Sequence, residues 1–294
     1  MRILIYGAGV IGCLYGALFA EAGHDVRVLA RGARLQYLMR DGLRYRSGKT
    51  VKTAKVKLLS RLDDGDAYDF VFLTVREDQV KAALAELKAN VSPTIVTMVN
   101  ALGGYDEWER ICGAGRILPA FPGAGGGWED GVLNAALTPR LVQPTTFGEI
   151  SGRTTPRLRQ LARLFKSAGI PYQIVPDMQI WQLCHLAMVV PIADAYYAAD
   201  EPTLAGKDFS LMRQTAEKIG ENLRLIRAGG IKLSPKKMNL LARCPSSLMA
   251  KVLSQIFQSD FGERFMYRHS MKAPQEMRRL HEQLYSYLET LKEM

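Results

Sequence analysis

The feature that most restricts how this chain can fold is a set of glycines at fixed spacing inside an uncharged stretch, residues 3–20. A membrane-spanning helix needs about 20 predominantly apolar residues, and the glycines favour a buried strand, a tight turn and a helix instead. Gly7, Gly9 and Gly12 fit the pattern GxGxxG. The pattern follows a strand-like segment, Arg2–Tyr6, and opens a helix, which is the context in which it marks a dinucleotide site.

The glycines belong to a predicted βαβ unit of about 30 residues, with a helix over Val10–Ala22 and a second strand over Asp25–Ala30. Gly7 permits the tight turn, Gly9 lets the backbone approach a pyrophosphate, and Gly12 lets the helix pack closely on the strand. Free N–H groups at the start of the helix favour phosphate binding. A tight turn without a ligand is the alternative. The predicted cofactor-binding residues of this turn are Gly7, Ala8, Gly9, Val10, Ile11 and Gly12.

The end of the second strand indicates which dinucleotide binds. NAD sites usually have an Asp or Glu there, which binds the ribose 2′-OH. Residues 28–34 contain no acid, and Arg31 stands just past the strand. A guanidinium binds a 2′-phosphate through paired hydrogen bonds. The sequence therefore predicts NADP(H), with Arg31 as a ligand and Arg34 as an assisting candidate; a solvated loop arginine is the alternative for each.

Two further strand ends carry polar residues. Asp69–Val75 and Thr94–Val99 are predicted buried strands, and they lead into Arg76 and Asn100. Ligands of doubly wound sheets lie beyond the carboxyl ends of the strands. Asn100 can both donate and accept hydrogen bonds, although Asn before glycines is also a common turn residue. Arg76 is a candidate for binding a phosphate or a substrate carboxylate.

The 294 residues predict two domains. Strands and helices alternate up to residue 176, and helical periodicity dominates afterwards. The expected fold class is α/β, with a Rossmann-type dinucleotide-binding domain over 1–176 and an all-helical domain over 177–294. Among the less regular segments, Thr53–Leu58 and Leu141–Gln143 are predicted strands, and Gly123–Gly127 is a predicted loop. A long helix over 177–199 is expected to be interrupted by Pro191.

Composition narrows the function classes. The formal net charge of +10 suggests an anionic partner, but the basic residues are interpreted as scattered, which argues against nucleic acid. No segment predicts a membrane span, and no metal site is expected. The four cysteines lie far apart and form no CxxC pair, so a reducing, cytoplasmic location is expected.

The chain resembles the ketopantoate reductase family (2-dehydropantoate 2-reductases). The matching residues are the segment from Arg2 to Gly32, the run Asn100–Gly103, and Trp181 at the start of the helical part. The resemblance implies NADPH as cofactor and reduction of a 2-oxo acid at an interdomain cleft. It also implies that Arg76 stands where the family commonly has a lysine. The loop around Ala124 lies near a further implied cofactor contact.

The second half departs from the family pattern. The family has a catalytic Lys two residues after the Trp, then Asn four and eight residues later; Leu183, Ala187 and Pro191 occupy these positions here. His185 is the candidate proton donor, although it lies about 200° around the helix from position 183 and a core histidine is the alternative. The weaker candidates for this site are Gln182, Asp194, Ser246, Ser247, Glu263, Arg268 and His269.

These observations predict an NADPH-dependent oxidoreductase that acts on a small carbonyl compound or 2-oxo acid. The first alternative is a binding or sensor protein that keeps the nucleotide site and has lost the chemistry, because the lysine is missing. A nucleic-acid binder is motivated by charge alone. A homodimer is compatible with a helical second domain.

Overall fold

The computed structural model describes residues 1–293. The chain forms two compact units, one of residues 1–100 and 104–178, and one of residues 101–103 and the chain from Gln179 onward. The first unit contains all the strands of the described chain, and the second is helical. The predicted fold class, a Rossmann-type α/β unit followed by a helical region, is confirmed.

The first unit contains twelve strands and five α-helices within the described residues. The strands are β1 (Arg2–Tyr6), β2 (Asp25–Leu29), β3 (Leu43–Ser47), β4 (Thr50–Ala54), β5 (Lys57–Leu59), β6 (Phe70–Leu73), β7 (Ile95–Met98), β8 (Ile117–Phe121), β9 (Ala124–Glu129), β10 (Val132–Leu137), β11 (Thr145–Phe147) and β12 (Tyr172–Ile174). The helices are α1 (Val10–Glu21), α2 (Gly32–Asp41), α3 (Val80–Leu87), α4 (Tyr105–Cys112) and α5 (Pro156–Ser167).

Eight of the strands form one sheet in the order β12-β11-β8-β7-β6-β1-β2-β5. The neighbouring strands β5, β2, β1, β6, β7 and β8 are all parallel. β11 is antiparallel to β8, and β12 is parallel to β11. The chain moves from β1 outward to β2 and β5, and then to β6 on the other side of β1. The strand order therefore reverses next to β1, which is where open α/β sheets bind their ligands.

An aromatic cluster holds α1 and α5 against the sheet. The ring centroid of Phe19 on α1 lies 5.0 Å from that of Phe72 on β6, and Phe165 on α5 lies 6.0 Å from both. All three side chains are fully buried. Each such ring removes about 150–250 Å² from water, so this cluster fixes the direction in which α1 leaves the glycine turn.

A second sheet, in the order β4-β3-β10-β9, packs on α1. The predicted loop Gly123–Gly127 is wrong, because most of it belongs to β9, which pairs antiparallel with β10 along its length. Gly126 has φ = +145°, and a Cβ there would lie 2.3 Å from the carbonyl oxygen of Asn134. The glycines therefore allow close approach of the partner strand.

Two strand predictions need correction. The predicted strand Leu141–Gln143 is wrong: this segment is a turn in which the amides of Val142 and Gln143 donate to the carbonyl of Pro139, and Leu141 is 91% exposed. The predicted strand Thr53–Leu58 is divided between β4 and β5, which belong to different sheets. A break in pairing between two sheets leaves no trace in local hydrophobic periodicity.

The helical unit contains α6 (Met178–Ala198), α7 (Phe209–Ala228), α8 (Met238–Arg243), α9 (Ser246–Phe257), α10 (Arg268–Lys272) and α11 (Pro274–Lys292). A π-helical segment, Gly262–Tyr267, precedes α10. The expected interruption at Pro191 is wrong, since α6 continues through it. Pro191 is buried beside Val190, Ile192 and Ala193, and packing compensates for the hydrogen bond that a proline removes.

Arg116, just before β8, holds together the ends of two helices. Its Nη1 donates to the carbonyl of Leu87 at the end of α3 (3.0 Å) and to that of Cys112 at the end of α4 (2.6 Å). Its Nη2 donates to the carbonyls of Asn90 and Ser92 at 2.7 and 2.8 Å. A guanidinium is the side chain that can serve this many acceptors from one point.

Replacing Arg116 by Ala is expected to lower the free energy of unfolding by about 2–4 kcal/mol, because several carbonyls lose a charged donor at once. Arg116→Lys is expected to recover less than half of this loss, since an ammonium cannot span the same acceptors. Urea unfolding curves measure both. Arg163→Ala, at an exposed position of α5, is the control, and equal losses in the two alanine variants would contradict the assignment.

Candidate functional site

The glycine turn combines a close contact with an open surface. Gly7 has φ = +114°, which residues with side chains rarely adopt. A Cβ on Gly12 would lie 2.1 Å from the Gly7 carbonyl oxygen, so α1 touches the turn there. A Cβ on Gly9 would meet the Thr74 carbonyl oxygen at 4.0 Å. The backbone at Gly9 is therefore accessible to a ligand, as a bound pyrophosphate requires.

Thr74, directly after β6, fastens this turn. Its Oγ1 donates to the carbonyl of Gly7 at 2.8 Å, and its amide donates to the carbonyl of Tyr6 at 3.0 Å. The Oγ1 would lie 2.4 Å from a Cβ on Gly12. The sequence does not single out Thr74, because a lone Thr after a buried strand carries no local signal for a contact made across the sheet.

The backbone N–H groups at the start of helix α1 have no side-chain cap. Its N-cap is Gly9, which provides no side-chain acceptor, and its first turn contains no acid. The first N–H groups of a helix lack intrahelical partners and carry a partial positive charge. The other predicted turn residues hold the start of α1 in place through packing: Ala8, Val10 and Ile11 contact the core of the unit.

Arg31 lies at the end of β2 as the N-cap of α2. Its Nη2 donates to Oε1 of Glu86 on α3, and its guanidinium lies 5.9 Å from the ring centre of Tyr6. The hydroxyl of Tyr6 donates to the other carboxylate oxygen of Glu86. An acid therefore reaches the end of β2 from a helix 55 residues further along the chain, and the sequence gives no signal for it.

The hydrogen bonds of this Tyr6–Glu86–Arg31 trio favour one set of protonation states. Burial opposes ionisation of Glu86, but the hydrogen bonds from Arg31 and Tyr6 outweigh it and hold the pKa of Glu86 below its ordinary value. Burial, together with the Glu86 carboxylate, raises the pKa of Tyr6 to about 12. At neutral pH the trio is a neutral phenol and a cation that both donate to one carboxylate.

The other predicted arginines of this unit differ in the contacts that hold them. The guanidinium of Arg34 lies 4.0 Å from the ring centre of Trp128, so it is held by cation–π contact. Arg76 precedes a short 3₁₀ turn, and its Nε lies 3.7 Å from Oδ1 of Asp78. The Arg76 side chain is mostly exposed and can reorient toward an anion.

Asn100 follows β7 at the same sheet edge and is 6% exposed. Its Oδ1 is buried and accepts no hydrogen bond from residues 1–293. An unsatisfied buried acceptor costs about 1–3 kcal/mol, so this oxygen fits a donor brought by a ligand. Ala124 begins β9, three residues after β8 ends, and pairs with Leu137. The parallel register of β1, β6, β7 and β8 places all these strand ends at one edge.

His185, the predicted proton donor, lies in the helical unit on α6. It is 4% exposed, and its ring stacks on Trp181 at 5.1 Å with an interplanar angle of 9°. Burial, with a smaller effect of nearby His269, lowers the pKa of His185 to about 3. The imidazole of His185 is therefore uncharged at neutral pH and acts as a neutral donor or acceptor.

The stripe of α6 at Leu183, Ala187 and Pro191 is apolar and buried. Leu183 and Ala187 belong to the hydrophobic core of the helical unit. Oδ2 of Asp194, further along α6, lies 2.9 Å from Nδ1 of His281 on α11 and accepts a hydrogen bond from this nitrogen when it carries a proton. His281 is a partner that the sequence does not indicate, because it lies 87 residues away.

The remaining candidates of the helical unit lie on three elements. Ser246 and Ser247 open α9. Glu263 lies in the π-helical segment and accepts a hydrogen bond from Arg268 at 2.8 Å. Gln182 on α6 is buried, whereas His269 on α10 is exposed. Glu263 and Arg268 thus form an ion pair at the π-helical segment.

The basic residues are concentrated, and the interpretation that they are scattered is wrong. Residues 27–61 contain eleven Lys and Arg and one acid, Asp41, so the remaining chain carries 28 residues of each sign. Six of the eleven make no ion pair with any residue of 1–293: Arg34, Arg44, Arg46, Lys49, Lys55 and Arg61. The β3–β4 hairpin and its flanks therefore form a basic surface that begins beside Arg31. We call residues 27–61 the basic segment.

Within residues 1–293, no three His, Cys, Asp or Glu side chains are grouped so that they could hold a metal ion. None of the helices in that range is both long and apolar enough to cross a membrane.

Residues 3–149 match the family model of ketopantoate reductase PanE/ApbA. The chain belongs to this family. It is 32% identical over 187 residues to a 2-dehydropantoate 2-reductase of Archaeoglobus fulgidus, with 61% of this chain and 58% of the relative covered. It is 28% identical over 208 residues to a 2-dehydropantoate 2-reductase of Mesorhizobium japonicum, with 62% of each covered. The chain thus matches roughly three fifths of the length of these two curated relatives.

Solved structures share the fold over the whole chain. A 2-dehydropantoate 2-reductase from Geobacter metallireducens GS-15 has a TM-score of 0.67 at 20% identity, with 99% of each chain covered. A D-mandelate dehydrogenase, solved in a ternary complex with NADH and anilino(oxo)acetate, has a TM-score of 0.65 at 14% identity, also with 99% of each chain covered. At these identities the likeness shows a common fold.

The lowered pKa of His185 predicts acid sensitivity. The unfolded chain binds a proton on this histidine below about pH 6.5, whereas the folded chain does not, so stability falls as the pH drops below that value. His185 is expected to contribute a loss of about 2 kcal/mol between pH 7.5 and pH 5. Unfolding free energies measured across this range in His185→Gln should show a flatter pH dependence than in the wild type.

Trp181→Phe is the matched control, since it disturbs the same stack and keeps the titrating ring. Its stability should be lower at every pH, with the wild-type slope retained. Identical slopes in His185→Gln and the wild type would show that the ring titrates normally in the folded protein.

Proposed function

We propose that the protein is an NADPH-dependent oxidoreductase that reduces a small 2-oxo acid or a related carbonyl compound to the alcohol. The observation that carries the proposal is the glycine turn opening α1, together with Arg31 two residues after β2 and no acid within residues 28–34. Membership of the ketopantoate reductase family supports it. The relatives named 2-dehydropantoate 2-reductase support the choice of a 2-oxo acid.

The residues at the sheet edge fit a dinucleotide. The open backbone at Gly9 and the donors of α1 suit a pyrophosphate, and the unsatisfied Oδ1 of Asn100 suits an amide or hydroxyl donor. Arg31 would hold the 2′-phosphate, and Arg76 would reach a phosphate or the substrate carboxylate. The bound cofactor supplies the hydride, and the protein supplies orientation and electrostatics.

The carbonyl oxygen of the substrate needs a hydrogen-bond donor as it gains charge. We assign this role to His185 in its neutral form, and the alkoxide left by hydride transfer would take its proton from water. An imidazole whose surroundings lower its pKa can polarise a carbonyl as a neutral donor in other enzymes. With a pKa of about 3, His185 would not change its charge between pH 6 and 8. Its contribution to kcat should therefore be independent of pH in that range.

The direct test is binding and turnover by the full chain. We expect NADPH to bind more tightly than NADH, and NADPH to be oxidised with at least one member of a panel of 2-oxo acids that includes 2-dehydropantoate, pyruvate and benzoylformate. Tight binding without turnover on any member would favour the alternative, a nucleotide-binding protein that has lost the chemistry. Absence of binding would overturn the proposal.

Arg31→Ala is expected to weaken NADPH binding about tenfold, the effect of roughly 1.4 kcal/mol from a charge-assisted contact. NADH binding should change less than twofold, because it lacks the 2′-phosphate. Fluorescence titration of the reduced nicotinamide measures both. Arg40→Ala is the control: Arg40 lies at the other end of α2 and pairs with Asp41. Equal weakening of both dinucleotides in Arg31→Ala would contradict the phosphate role.

The basic segment predicts salt-dependent capture of the anionic cofactor. Charges of one sign near a binding site raise association rates at low ionic strength, and screening removes the effect. The NADPH association rate, measured by stopped flow, is expected to fall severalfold between low and high salt. The triple variant Arg44→Ser, Arg46→Ser, Lys49→Ser should bind more slowly at low salt and show a shallower salt dependence.

A control with the same loss of net charge separates local from global effects. The α5 variant Arg159→Ser, Arg163→Ser, Lys166→Ser removes three positive charges from the same unit. It should retain the wild-type salt dependence. A similar change in both triple variants would mean that net charge, and not the basic segment, sets the rate.

A further inference from the structure

We infer that Glu86 is a specificity-determining residue of the dinucleotide site, which competes with the 2′-phosphate of NADPH for Arg31 and so limits the preference for the phosphorylated cofactor. This rests on the proposed function, in which Arg31 holds that phosphate. Residues 28–34 contain no acid; the acid comes from α3.

The geometry shows which partner is fixed and which can move. Glu86 accepts hydrogen bonds from both Tyr6 and Arg31, one on each carboxylate oxygen. Tyr6 is buried at the end of β1, directly before Gly7. The side chain of Glu86 is 35% exposed and that of Arg31 is 57% exposed. Tyr6 therefore anchors Glu86 to the sheet, and Arg31 is the mobile member of the pair.

A 2′-phosphate can bind Arg31 in two ways, and both are costly. If the guanidinium turns away from Glu86, the ion pair is lost. If it stays, the phosphate sits beside a carboxylate of like charge, which is unfavourable at short range. A free 2′-hydroxyl carries no charge and suffers neither effect. Acids at the end of the second strand accept hydrogen bonds from this hydroxyl in NAD sites, and Glu86 stands at the same strand end.

The size of the effect follows from the exposure of the pair. Ion pairs between partly exposed side chains contribute up to about 1 kcal/mol. Removing the carboxylate is therefore expected to tighten NADPH binding about three- to fivefold. NADH binding should change less than twofold. The ratio of the two dissociation constants reports the selectivity, because a general disturbance of the turn would move both constants together.

The experiment measures the dissociation constants of NADPH and NADH for the full-length wild type, Glu86→Gln, Arg31→Ala and the double variant, by fluorescence titration. Glu86→Gln removes the charge and keeps an acceptor for Tyr6. We expect tighter NADPH binding in Glu86→Gln, and a smaller gain when Arg31 is already Ala, since the ion pair between the two residues is then absent. Glu86→Ala serves as a second variant with the same expectation.

Glu107→Gln is the matched control. Glu107 lies on α4 and forms an ion pair with Lys81, so the substitution also removes one negative charge from a salt bridge in this unit. Its NADPH and NADH constants should equal those of the wild type.

The outcomes separate this inference from the function on which it rests. Unchanged or weaker NADPH binding in both Glu86 variants, with wild-type selectivity for NADPH intact, overturns the role of Glu86 alone. A gain as large in the Arg31→Ala background as in the wild type also overturns it, because competition for Arg31 then contributes nothing. Failure of the wild type to bind either dinucleotide overturns the proposed function and this inference with it.

Discussion

The contact on which the site depends is the one between α1 and the turn in front of it. Gly12 brings the helix so close to the Gly7 carbonyl that no side chain fits between them, and Thr74 fastens the same carbonyl from the neighbouring strand. The aromatic cluster around Phe19 then fixes the axis of α1 from its other end. The direction of the first N–H groups is thus set by packing on both ends of the helix, before any ligand is present.

How much the sequence could predict follows from the range of the interactions. The glycine turn, β1, β2 and the buried parallel strands depend on local patterns, and the fold class was predictable from them. The strand β9 was not, because its glycines are strand residues only in the presence of β10. Glu86, Thr74 and His281 reach their partners across more than 50 residues of chain, and no local pattern encodes such contacts.

In the helical unit a local pattern was informative. The sequence showed that α6 lacks the polar stripe of the family, and the structure shows what surrounds the apolar residues in its place. Leu183 and Ala187 contribute to a continuous apolar core, so the missing polar stripe is part of how this unit packs. His185 lies in the same helix, uncharged and stacked on Trp181. A neutral imidazole in such a place is inexpensive to bury, whereas a charged lysine would need a partner. The apolar residues Leu183 and Ala187 and the uncharged His185 are therefore all suited to a buried helix.

One structural feature links stability to ligand choice. Arg116 holds the carbonyl of Leu87, the residue that follows Glu86 at the end of α3. The position of Glu86 therefore depends on Arg116, which contacts neither Glu86 nor Arg31 in the described contacts. During evolution, a substitution that removed the Arg116–Leu87 hydrogen bond would alter both the cofactor preference and the stability of the fold. Cofactor preference and folding stability are therefore expected to change together when α3 or Arg116 is substituted.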